Sequence, residues 1–404
     1  MTRPRFDVAD VVGRFGSAFL EAFGASVSAL QRHVLNAIAA CRTAVLGGHL
    51  SVCDECGTEV ISYNSCRSRH CPKCLASRSA DWLEARQQEL LPVPYFHVVF
   101  TLPHQLEGIA LQNKRVVYDI LFAAAAQTLQ QIAGDPKHLG AQIGFLAILH
   151  TWGQNLLHHP HVHCVVPAGG LSTDRSRWIP CRVRGRFFLP VRVLSAVFRG
   201  KFLEFLRTAF DGGRLGLHGS LSHLADPQAF DALLRSTRTK DWVVYAKRPF
   251  GGPEQVLKYL ARYTHRVAIA NSRLVSIDDT HVSFLWKDYA KGNRRRTMKL
   301  EGPEFIRRFL LHVLPKGFVR IRHFGFLANR VRTASLARCR ELLPVPTSPA
   351  AVADVRLTAG ATTDHSLPRC PTCGKGHLIP VATLPPMSDR SPFTIRHITE
   401  PDTS

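Results

Sequence analysis

Apolar and polar residues follow two different periods along this chain. Helical spacing, with apolar residues three and four positions apart, covers residues 1–50 and recurs near 110–133 and within 190–240. Strand patterns bounded by Gly and Pro fall at 93–103, 143–153, 161–170 and 242–250. This mixture predicts an α+β fold, with a central sheet flanked by helices and preceded by a small cysteine-rich domain.

The second half of the chain continues the mixed pattern. Gly251 and Gly252 break the chain, and Pro253 and Glu254 then suit a first helical turn, so a helix is predicted over 251–271. Two β-segments, a helix and a last strand follow before a Pro/Ser/Thr-rich tail. The predicted domains are 1–92 (helical and cysteine-rich), 93–338 (the α+β domain) and 339–404 (the tail).

Charge narrows the range of partners. The 404 residues include 52 Lys and Arg against 30 Asp and Glu, a formal net charge of +22, and 11 cysteines. Such a balance favours a polyanion such as nucleic acid. The apolar runs are too short to span a bilayer, and the first residues lack the apolar core of a signal peptide. We therefore expect a cytoplasmic protein, without a membrane partner, whose cysteines bind metal or stay free.

Two cysteine pairs predict a structural zinc site. Cys53 and Cys56 are separated by two residues, as are Cys71 and Cys74, and such pairs commonly supply four thiolates to one Zn²⁺. Additional candidates in the same stretch are Cys66 and His70. Arg67, Arg69 and Lys73 surround the cluster and suit contact with DNA. A second short pair, Cys370 and Cys373, is half a zinc site and is left unassigned.

One of the predicted strands begins with histidines. His161 and His163 lie two residues apart, so their side chains share a face and are able to chelate one divalent ion. No carboxylate follows within the strand. Gln154 precedes it, and its side-chain carbonyl is a candidate third ligand, which would suit Mg²⁺ or Mn²⁺ as well as zinc. The preceding His158 and His159 are expected in a loop.

Two tyrosines share a face of the predicted helix over 251–271. Tyr259 and Tyr263 are four residues apart, which is one helical turn. The cations around them are Lys258, Arg262 and Arg266, with His265 nearby. Taken alone, this spacing is more typical of ordinary helix packing. A phenol next to cations and a metal-polarised phosphate is, however, a plausible nucleophile.

These motifs together resemble the HUH single-strand endonucleases, and their order resembles the IS91-type transposases, including the IS801-like members. The resemblance rests on the cysteine module, YFHVVFTLP, HTWGQNL, HPHVHCVVPAGG and KYLARYTHRVAIAN, and covers roughly residues 25–335. It implies an HUH endonuclease-like antiparallel sheet and a two-tyrosine transposase that acts on single-stranded DNA at the ends of a mobile element.

The resemblance also implies roles for particular residues. Tyr259 and Tyr263 would attack DNA to form a 5′-phosphotyrosine, while His161, His163 and Gln154 would hold Mg²⁺ or Mn²⁺; His265 is a rival third ligand. The cations expected to contact DNA also include those of the basic run that follows the helix, Arg294, Arg295 and Arg296. When bound to DNA the protein would be associated with the bacterial nucleoid.

Other functions remain open at this point. A rolling-circle replication initiator or a relaxase would share the histidine and tyrosine chemistry and differ in its target. A zinc-containing DNA-binding protein without catalysis would require the histidine and tyrosine pairs to be accidental. A zinc hydrolase of small molecules fits poorly, because the charge is high and carboxylate ligands are missing.

Overall fold

A computed structural model describes residues 4–75, 86–181, 189–250, 255, 268–288, 292, 294–343 and 367–387. Its helices, apart from short 3₁₀ turns, are α1 (Val8–Phe23), α2 (Ala29–Ala40), α3 (Glu107–Gln112), α4 (Lys114–Gly134), α5 (Val191–Asp211), α6 (Pro227–Arg238), α7 (Gly302–Leu310) and α8 (Arg332–Leu342). No helix among these residues is long and apolar enough to cross a membrane.

The strands are β1 (Gly48–Cys53), β2 (Glu59–Tyr63), β3 (Tyr95–Thr101), β4 (Gly144–Trp152), β5 (His158–Pro167), β6 (Gly169–Leu171), β7 (Trp178–Pro180), β8 (Val244–Phe250), β9 (Leu274–Ile277), β10 (His281–Asp288), β11 (Arg294–Glu301), β12 (Ile321–Gly325) and β13 (Leu378–Leu384). The largest sheet has the order β12-β4-β5-β3-β8, and every pairing in it is antiparallel. The predicted α+β class with an antiparallel sheet is therefore confirmed.

The chain divides into two compact units that are not continuous in sequence. The first comprises Met1–Ser77, Ile269–Val313 and Pro346–Ser404, and the second comprises Arg78–Ala268 and Leu314–Val345. These limits differ from the expected boundaries at residues 92 and 338. The difference arises because strands and helices distant in sequence complete the N-terminal unit, which a pass along the sequence does not reveal.

In the second unit, helices cover one face of the five-stranded sheet. Alternate residues of β5, such as Val162 and Cys164, point into a core where Phe100 of β3 and Phe122 of α4 are also fully buried. On the opposite face, Val165 lies in a smaller core beneath α8. His161 and His163 lie on the same opposite face, along the first half of β5.

In the first unit, helix caps and one helix pair organise the N-terminus. Asp7 accepts hydrogen bonds from backbone N–H groups of the first turn of α1, and Asp10 completes a capping box. Ser28 and Gln31 form the same motif at α2. The apolar stripe of α1, with Phe15 buried, packs against α7. Two three-stranded sheets, β13-β1-β2 and β11-β10-β9, complete this unit.

The predicted helix over 251–271 lies outside the described residues except for residue 255 and residues 268–271. Tyr259 and Tyr263 are among the residues not described, as are Lys258, Arg262, His265 and Arg266. The tail contributes an ordered element that the sequence did not predict, because β13 pairs with β1 along its whole length.

Candidate metal centres and nucleic-acid interface

Three histidines meet on the open face of the central strand. His150 of β4 is directly opposite His161 of β5, and His163 follows on the same face. One ring nitrogen from each of the three lies within 4.8 Å of the others, which suits binding of a single metal ion. His150 and His163 are buried, and His161 is partly exposed. The predicted pair is thus joined by a third histidine that sequence reasoning missed.

The hydrogen bonding of His161 determines which of its ring nitrogens carries the proton. Its Nδ1 lies 2.7 Å from the backbone carbonyl oxygen of His159. A carbonyl only accepts, so Nδ1 carries the proton and Nε2 keeps its lone pair. Although the residue is partly exposed, desolvation of its ring lowers the pKa of His161 to about 4, so the ring is neutral at pH 7. A neutral imidazole oriented by a backbone carbonyl is the usual state of a metal ligand.

A fourth histidine orients His163. His97 of β3 is buried, and its Nε2 lies 2.8 Å from Nδ1 of His163. The two ring planes are parallel, with an interplanar angle of 1° and centroids 5.0 Å apart, which suits a hydrogen bond between ring edges. For Nε2 of His163 to bind an ion, Nδ1 of His163 would carry the proton and donate it to Nε2 of His97. Sequence analysis did not single out His97 from the apolar strand around it.

The other residues near the strand are placed as follows. Gln154 lies in the turn between β4 and β5 and is partly buried. His158 and His159, expected in a loop, belong instead to β5. Nε2 of His158 lies 2.8 Å from the hydroxyl oxygen of Tyr118, and Nδ1 of His159 lies 3.2 Å from a carboxylate oxygen of Glu107. These two histidines therefore have protein partners.

The predicted four-cysteine group is not what the structure shows. Instead, two separate groups form in the first unit: Cys41, Cys66, Cys71 and Cys74 in one, and Cys53, Cys56, Cys370 and Cys373 in the other. The two predicted pairs separate because each meets another pair of cysteines. Cys66 joins the first group, as its candidacy anticipated, whereas His70 is buried outside both. Cys41, at the end of α2, had no sequence signal.

Both cysteine groups have the spacing of thiolates around a tetrahedral ion. Sulfur–sulfur distances are 3.6 Å for Cys41–Cys74 and for Cys66–Cys74. In the other group they are 3.7 Å, for Cys53–Cys373 and for Cys56–Cys370. A tetrahedral Zn²⁺ with Zn–S bonds of about 2.3 Å separates its sulfurs by about 3.8 Å. A disulfide would require about 2.05 Å.

The cations expected to contact DNA differ in solvent exposure and in whether they already form an ion pair. Arg67 is exposed, with a left-handed backbone φ of 53°, while burial lowers the pKa of the partly buried Arg69. Lys73 forms an ion pair with Asp7 at 3.0 Å, so part of its charge is already compensated. The arginines of β11, in contrast, are all exposed.

Three consecutive arginines begin the edge strand β11. Arg294, Arg295 and Arg296 are all exposed, and Arg296 lies 3.6 Å from a carboxylate oxygen of Asp288. We call these three residues the β11 arginines. Phe326, which follows the basic strand β12, is buried in the smaller core with Val165.

A further tyrosine lies on the histidine face. Tyr245 of β8 is paired with Val99 of β3, which in turn is paired with His163. Residues directly opposite in a sheet share a face, so Tyr245 lies two strands, or about 9.6 Å, from His163. Its side chain is 52% exposed. Sequence reasoning did not select Tyr245, because only the strand pairing brings it onto this face.

Comparison with known proteins identifies the family of the chain. A family model described as a putative transposase matches residues 144–335, and one described as a transposase zinc-binding domain matches residues 11–102. The putative transposase y4qJ of Sinorhizobium fredii (strain NBRC 101917 / NGR234) is 54% identical over 385 residues, which cover 94% of this chain and 96% of that protein. The chain belongs to the IS91 family of transposases. The predicted family is therefore confirmed.

More distant similarity is also present. The transposase for insertion sequence element IS801 of Pseudomonas savastanoi pv. phaseolicola is 28% identical over 314 residues, covering 76% of this transposase and 73% of that one. The solved structure of TrwC complexed with a 27-mer DNA is 14% identical and covers 61% of this chain and 73% of its own, with a TM-score of 0.22. That score is too low to support a shared fold.

The zinc-binding family match spans the whole first cysteine group and the Cys53–Cys56 pair. Together with the sulfur geometry, it supports structural zinc in this part of the transposase. The three histidines lie within the other matched region, 144–335, which also contains both predicted tyrosine nucleophiles.

Proposed function

We propose that this transposase nicks and rejoins single-stranded DNA at the ends of its insertion sequence, using a tyrosine nucleophile and a divalent metal ion. The observation that carries the proposal is the group formed by His150, His161 and His163. Its ligand nitrogens are oriented by His97 and by a backbone carbonyl, as expected of a built metal site rather than of histidines that fill a core.

The residues present fit a divalent cation. Three imidazoles would supply ligands and leave coordination positions for a phosphate oxygen and water, and when bound the ion would polarise the scissile phosphate. Imidazole nitrogens suit Mn²⁺ better than Mg²⁺, which prefers oxygen ligands. His150 is our preferred third ligand. Gln154 and His265 remain alternative third ligands, and substituting the true third ligand should abolish activity.

The chemical step is a transesterification. The phenol oxygen of Tyr259 or Tyr263 bonds to phosphorus, the bond from phosphorus to the 3′ oxygen breaks, and the phenol proton is lost as the 3′-hydroxyl gains one. The product is a 5′-phosphotyrosine that keeps the energy of the phosphodiester, so rejoining requires no ATP. A second tyrosine would allow a second cleavage while the first strand end is held, which suits rolling-circle-like transposition.

DNA binding is proposed to combine two features. The β11 arginines and the exposed Arg67 would neutralise phosphates, as would Lys258, Arg262 and Arg266 beside the tyrosines. Arg69 and Lys73 would contribute less, since the first is partly buried and the second is paired with Asp7. The first cysteine group would hold a structural zinc that keeps this basic module folded.

The test is a covalent adduct. End-labelled single-stranded oligonucleotides from both ends of the encoding element are incubated with the transposase and Mn²⁺ or Mg²⁺, and SDS-resistant DNA–protein adducts are counted. We expect an adduct from the parent, its loss in His161→Ala/His163→Ala, and its loss or reduction in Tyr259→Phe or Tyr263→Phe. His150→Ala should resemble the double histidine variant, whereas Gln154→Ala should retain activity if His150 is the third ligand.

Two variants serve as matched controls. Tyr245→Phe removes the other phenol on the histidine face, and His223→Ala removes an exposed histidine elsewhere in the second unit. Both should form the adduct. An adduct lost only in Tyr245→Phe would assign the nucleophile to β8 instead of to the helix.

The remaining outcomes separate the alternative functions. Cleavage without an adduct would indicate water as the nucleophile and refute the phosphotyrosine step. Nicking of a plasmid origin in preference to the element ends would favour a replication initiator or relaxase. Tight binding without cleavage under all conditions would favour a DNA-binding protein without catalysis.

A further inference from the structure

The short cysteine pair in the C-terminal tail has a partner at the other end of the chain. Cys370 and Cys373 lie with Cys53 and Cys56, although more than 300 residues separate the two pairs. All four belong to the first compact unit. The zinc-binding family match ends at residue 102 and therefore does not include the tail pair.

The two pairs are carried by matching loops. In each, glycine follows the second cysteine with a left-handed backbone, φ 68° at Gly57 and φ 67° at Gly374. In each, the N–H of that glycine donates to the carbonyl oxygen of the first cysteine at 3.0 Å. This turn directs both sulfurs of a pair towards one point, and glycine adopts it without strain.

Backbone N–H groups also point at the sulfurs of the tail pair. The N–H of Thr372 donates to Sγ of Cys370, and the N–H of Gly376 donates to Sγ of Cys373, both at 3.4 Å. Such donors favour thiolate over thiol, which is the form that binds metal.

The loops fit closely where they meet. A Cβ on Gly376 would lie 2.6 Å from Sγ of Cys53 and 2.5 Å from Oδ1 of Asp54, so only glycine permits the observed approach. The same Oδ1 of Asp54 accepts the N–H of His377 at 2.7 Å, and the N–H of Asp54 donates to the carbonyl of His377 at 3.1 Å. Contacts of this kind are specific to this pairing of loops.

Little apolar surface holds the tail in place. The core around the four cysteines contains, besides cysteine, Leu378 and the partly buried Val60. Along β13 the side chains of Ile379 and Val381 are 43% and 54% exposed. Burial on this scale does not offset the entropy of ordering the segment, so another source of free energy is required. Metal coordination supplies it in small domains of this type.

We propose that Cys53, Cys56, Cys370 and Cys373 form a second zinc site, distinct from that of Cys41, Cys66, Cys71 and Cys74, which clasps the C-terminal segment to the N-terminal module. Zn²⁺ displaces the remaining thiol protons and binds four sulfurs, and β13 is thereby held as the edge strand on β1. The site is structural, and it stands apart from the proposed nicking reaction because its ligands do not include the histidine group.

Zinc content per chain tests the assignment. The full-length transposase is purified with zinc, dialysed, and compared with three variants: Cys53→Ser/Cys56→Ser, Cys370→Ser/Cys373→Ser and Cys71→Ser/Cys74→Ser. Each is made in a His161→Ala/His163→Ala background, so that the histidine group does not contribute. We expect two zinc ions in the background protein and one in each variant. Combining the first two pairs of substitutions should remove no further zinc, whereas adding the third should remove the second ion.

The alternative assignment gives a different pattern. If Cys53, Cys56, Cys71 and Cys74 shared one ion, the Cys370→Ser/Cys373→Ser variant would retain all zinc, and this result would overturn the proposal. A disulfide between the loops would overturn it as well, and would appear as missing thiols when the unreduced, denatured protein is titrated. Cys181→Ser, a cysteine outside both groups, is the control and should leave zinc content unchanged.

A milder variant covers the possibility that the double substitutions prevent folding. Cys373→His keeps four ligands, so it should retain the ion while shifting the visible absorption of the Co²⁺-substituted protein towards that of a three-sulfur, one-nitrogen site. Amide hydrogen exchange in the parent should show β13 protected with zinc and exchanging on chelation. Unchanged cobalt absorption in Cys373→His, or β13 protection that survives loss of this ion, would contradict the proposed second zinc site.

Discussion

At the scale of single residues, the histidine site depends on which nitrogen of each ring is protonated. His161 is oriented by the carbonyl of His159, and His163 by His97. The low pKa of His161, caused by burial, keeps that ring neutral and ready to bind metal. The pair of histidines visible in the sequence is therefore only part of the proposed site, whose affinity also depends on groups that would not touch the ion.

His97 provides a direct test of this dependence. Replacing His97 by Phe keeps a planar ring beside His163 but removes the hydrogen bond to its Nδ1. We expect Mn²⁺ affinity at the histidine group to fall by about 10- to 100-fold, the usual effect of losing an orienting partner. Calorimetric titration of protein that holds zinc at its cysteine groups but has been freed of metal at the histidine group would measure it, with His161→Ala/His163→Ala giving the background.

If His97 acts by orienting His163, a second result is expected. Adduct formation in His97→Phe should recover when Mn²⁺ is raised in proportion to the lost affinity, because the ligands themselves remain. His97→Gln, which retains hydrogen-bonding capacity, should lose less. Parent-like Mn²⁺ binding by His97→Phe would show that the hydrogen bond has no bearing on the site.

At the scale of elements, the size of the side chains in contact determines which helices and strands pack together. Gly302 begins α7 where the helix meets Phe15 of α1, and a Cβ at that position would overlap the Phe15 ring. Phe15 is buried, so its ring has little room to move. The contact between α1 and α7 thus relies on a glycine whose need is invisible in the helical pattern of either segment.

Gly302→Ala should therefore destabilise the first unit. Overpacking of a well-filled core costs about 1–3 kcal/mol, and the urea midpoint monitored on this unit should fall accordingly. Phe15→Leu combined with Gly302→Ala should recover part of the loss, because a smaller side chain leaves room for the methyl group.

Gly13→Ala is the matched control, on α1, the helix that carries Phe15. A Cβ at Gly13 meets nothing within 4 Å, and alanine is favoured over glycine inside a helix by about 0.5–1 kcal/mol. This variant should raise the midpoint slightly. Equal effects of Gly13→Ala and Gly302→Ala would mean that helix propensity, not the contact with Phe15, determines the result.

At the scale of the whole molecule, the excess of 22 positive charges determines how strongly DNA is held and how salt weakens the complex. Charge of this size attracts a polyanion from any direction, so net charge alone does not identify a binding surface. The β11 arginines are a candidate surface because they are consecutive, exposed and on an edge strand.

Salt dependence distinguishes a specific surface from general attraction. For single-stranded DNA each phosphate contact contributes about 0.7 to the slope of log affinity against log salt, so Arg294→Ala/Arg295→Ala/Arg296→Ala should reduce the slope by up to about 2. Because Arg296 is close to Asp288, its share should be the smallest. Filter binding or fluorescence anisotropy across a range of salt concentrations would measure the slope.

An equal change of charge elsewhere is the necessary comparison. Arg214, Arg235 and Arg238 are exposed in the second unit, and replacing all three by alanine removes the same charge. We expect this variant to bind DNA with nearly the parent slope. If both triple variants lowered the slope equally, the β11 arginines would not be a distinct DNA-binding surface.

Much of the local structure was predictable because it depends on neighbouring residues. The alternation in β5, the apolar stripes of α1 and α4 and the helical pattern of α7 each describe one segment, and each element formed, although β5 begins at His158, three residues before the predicted strand. The motifs also sufficed to recognise the family, since several of them occur in a fixed order. Two of the three clustered histidines were found because i and i+2 share a strand face.

Only the tertiary structure decided how distant segments complete one another. His150 became the partner of His161 through the register of β4 on β5, and His97 became that of His163 through the register of β3. The cysteine pairs Cys53–Cys56 and Cys71–Cys74 look like one zinc site, because spacing along the chain is all that a sequence offers. In space, Cys41 and the tail complete two groups instead. Local patterns are set by the repeat of the backbone, whereas a ligand set is defined by distances between sulfur or nitrogen atoms, which only the packed chain establishes.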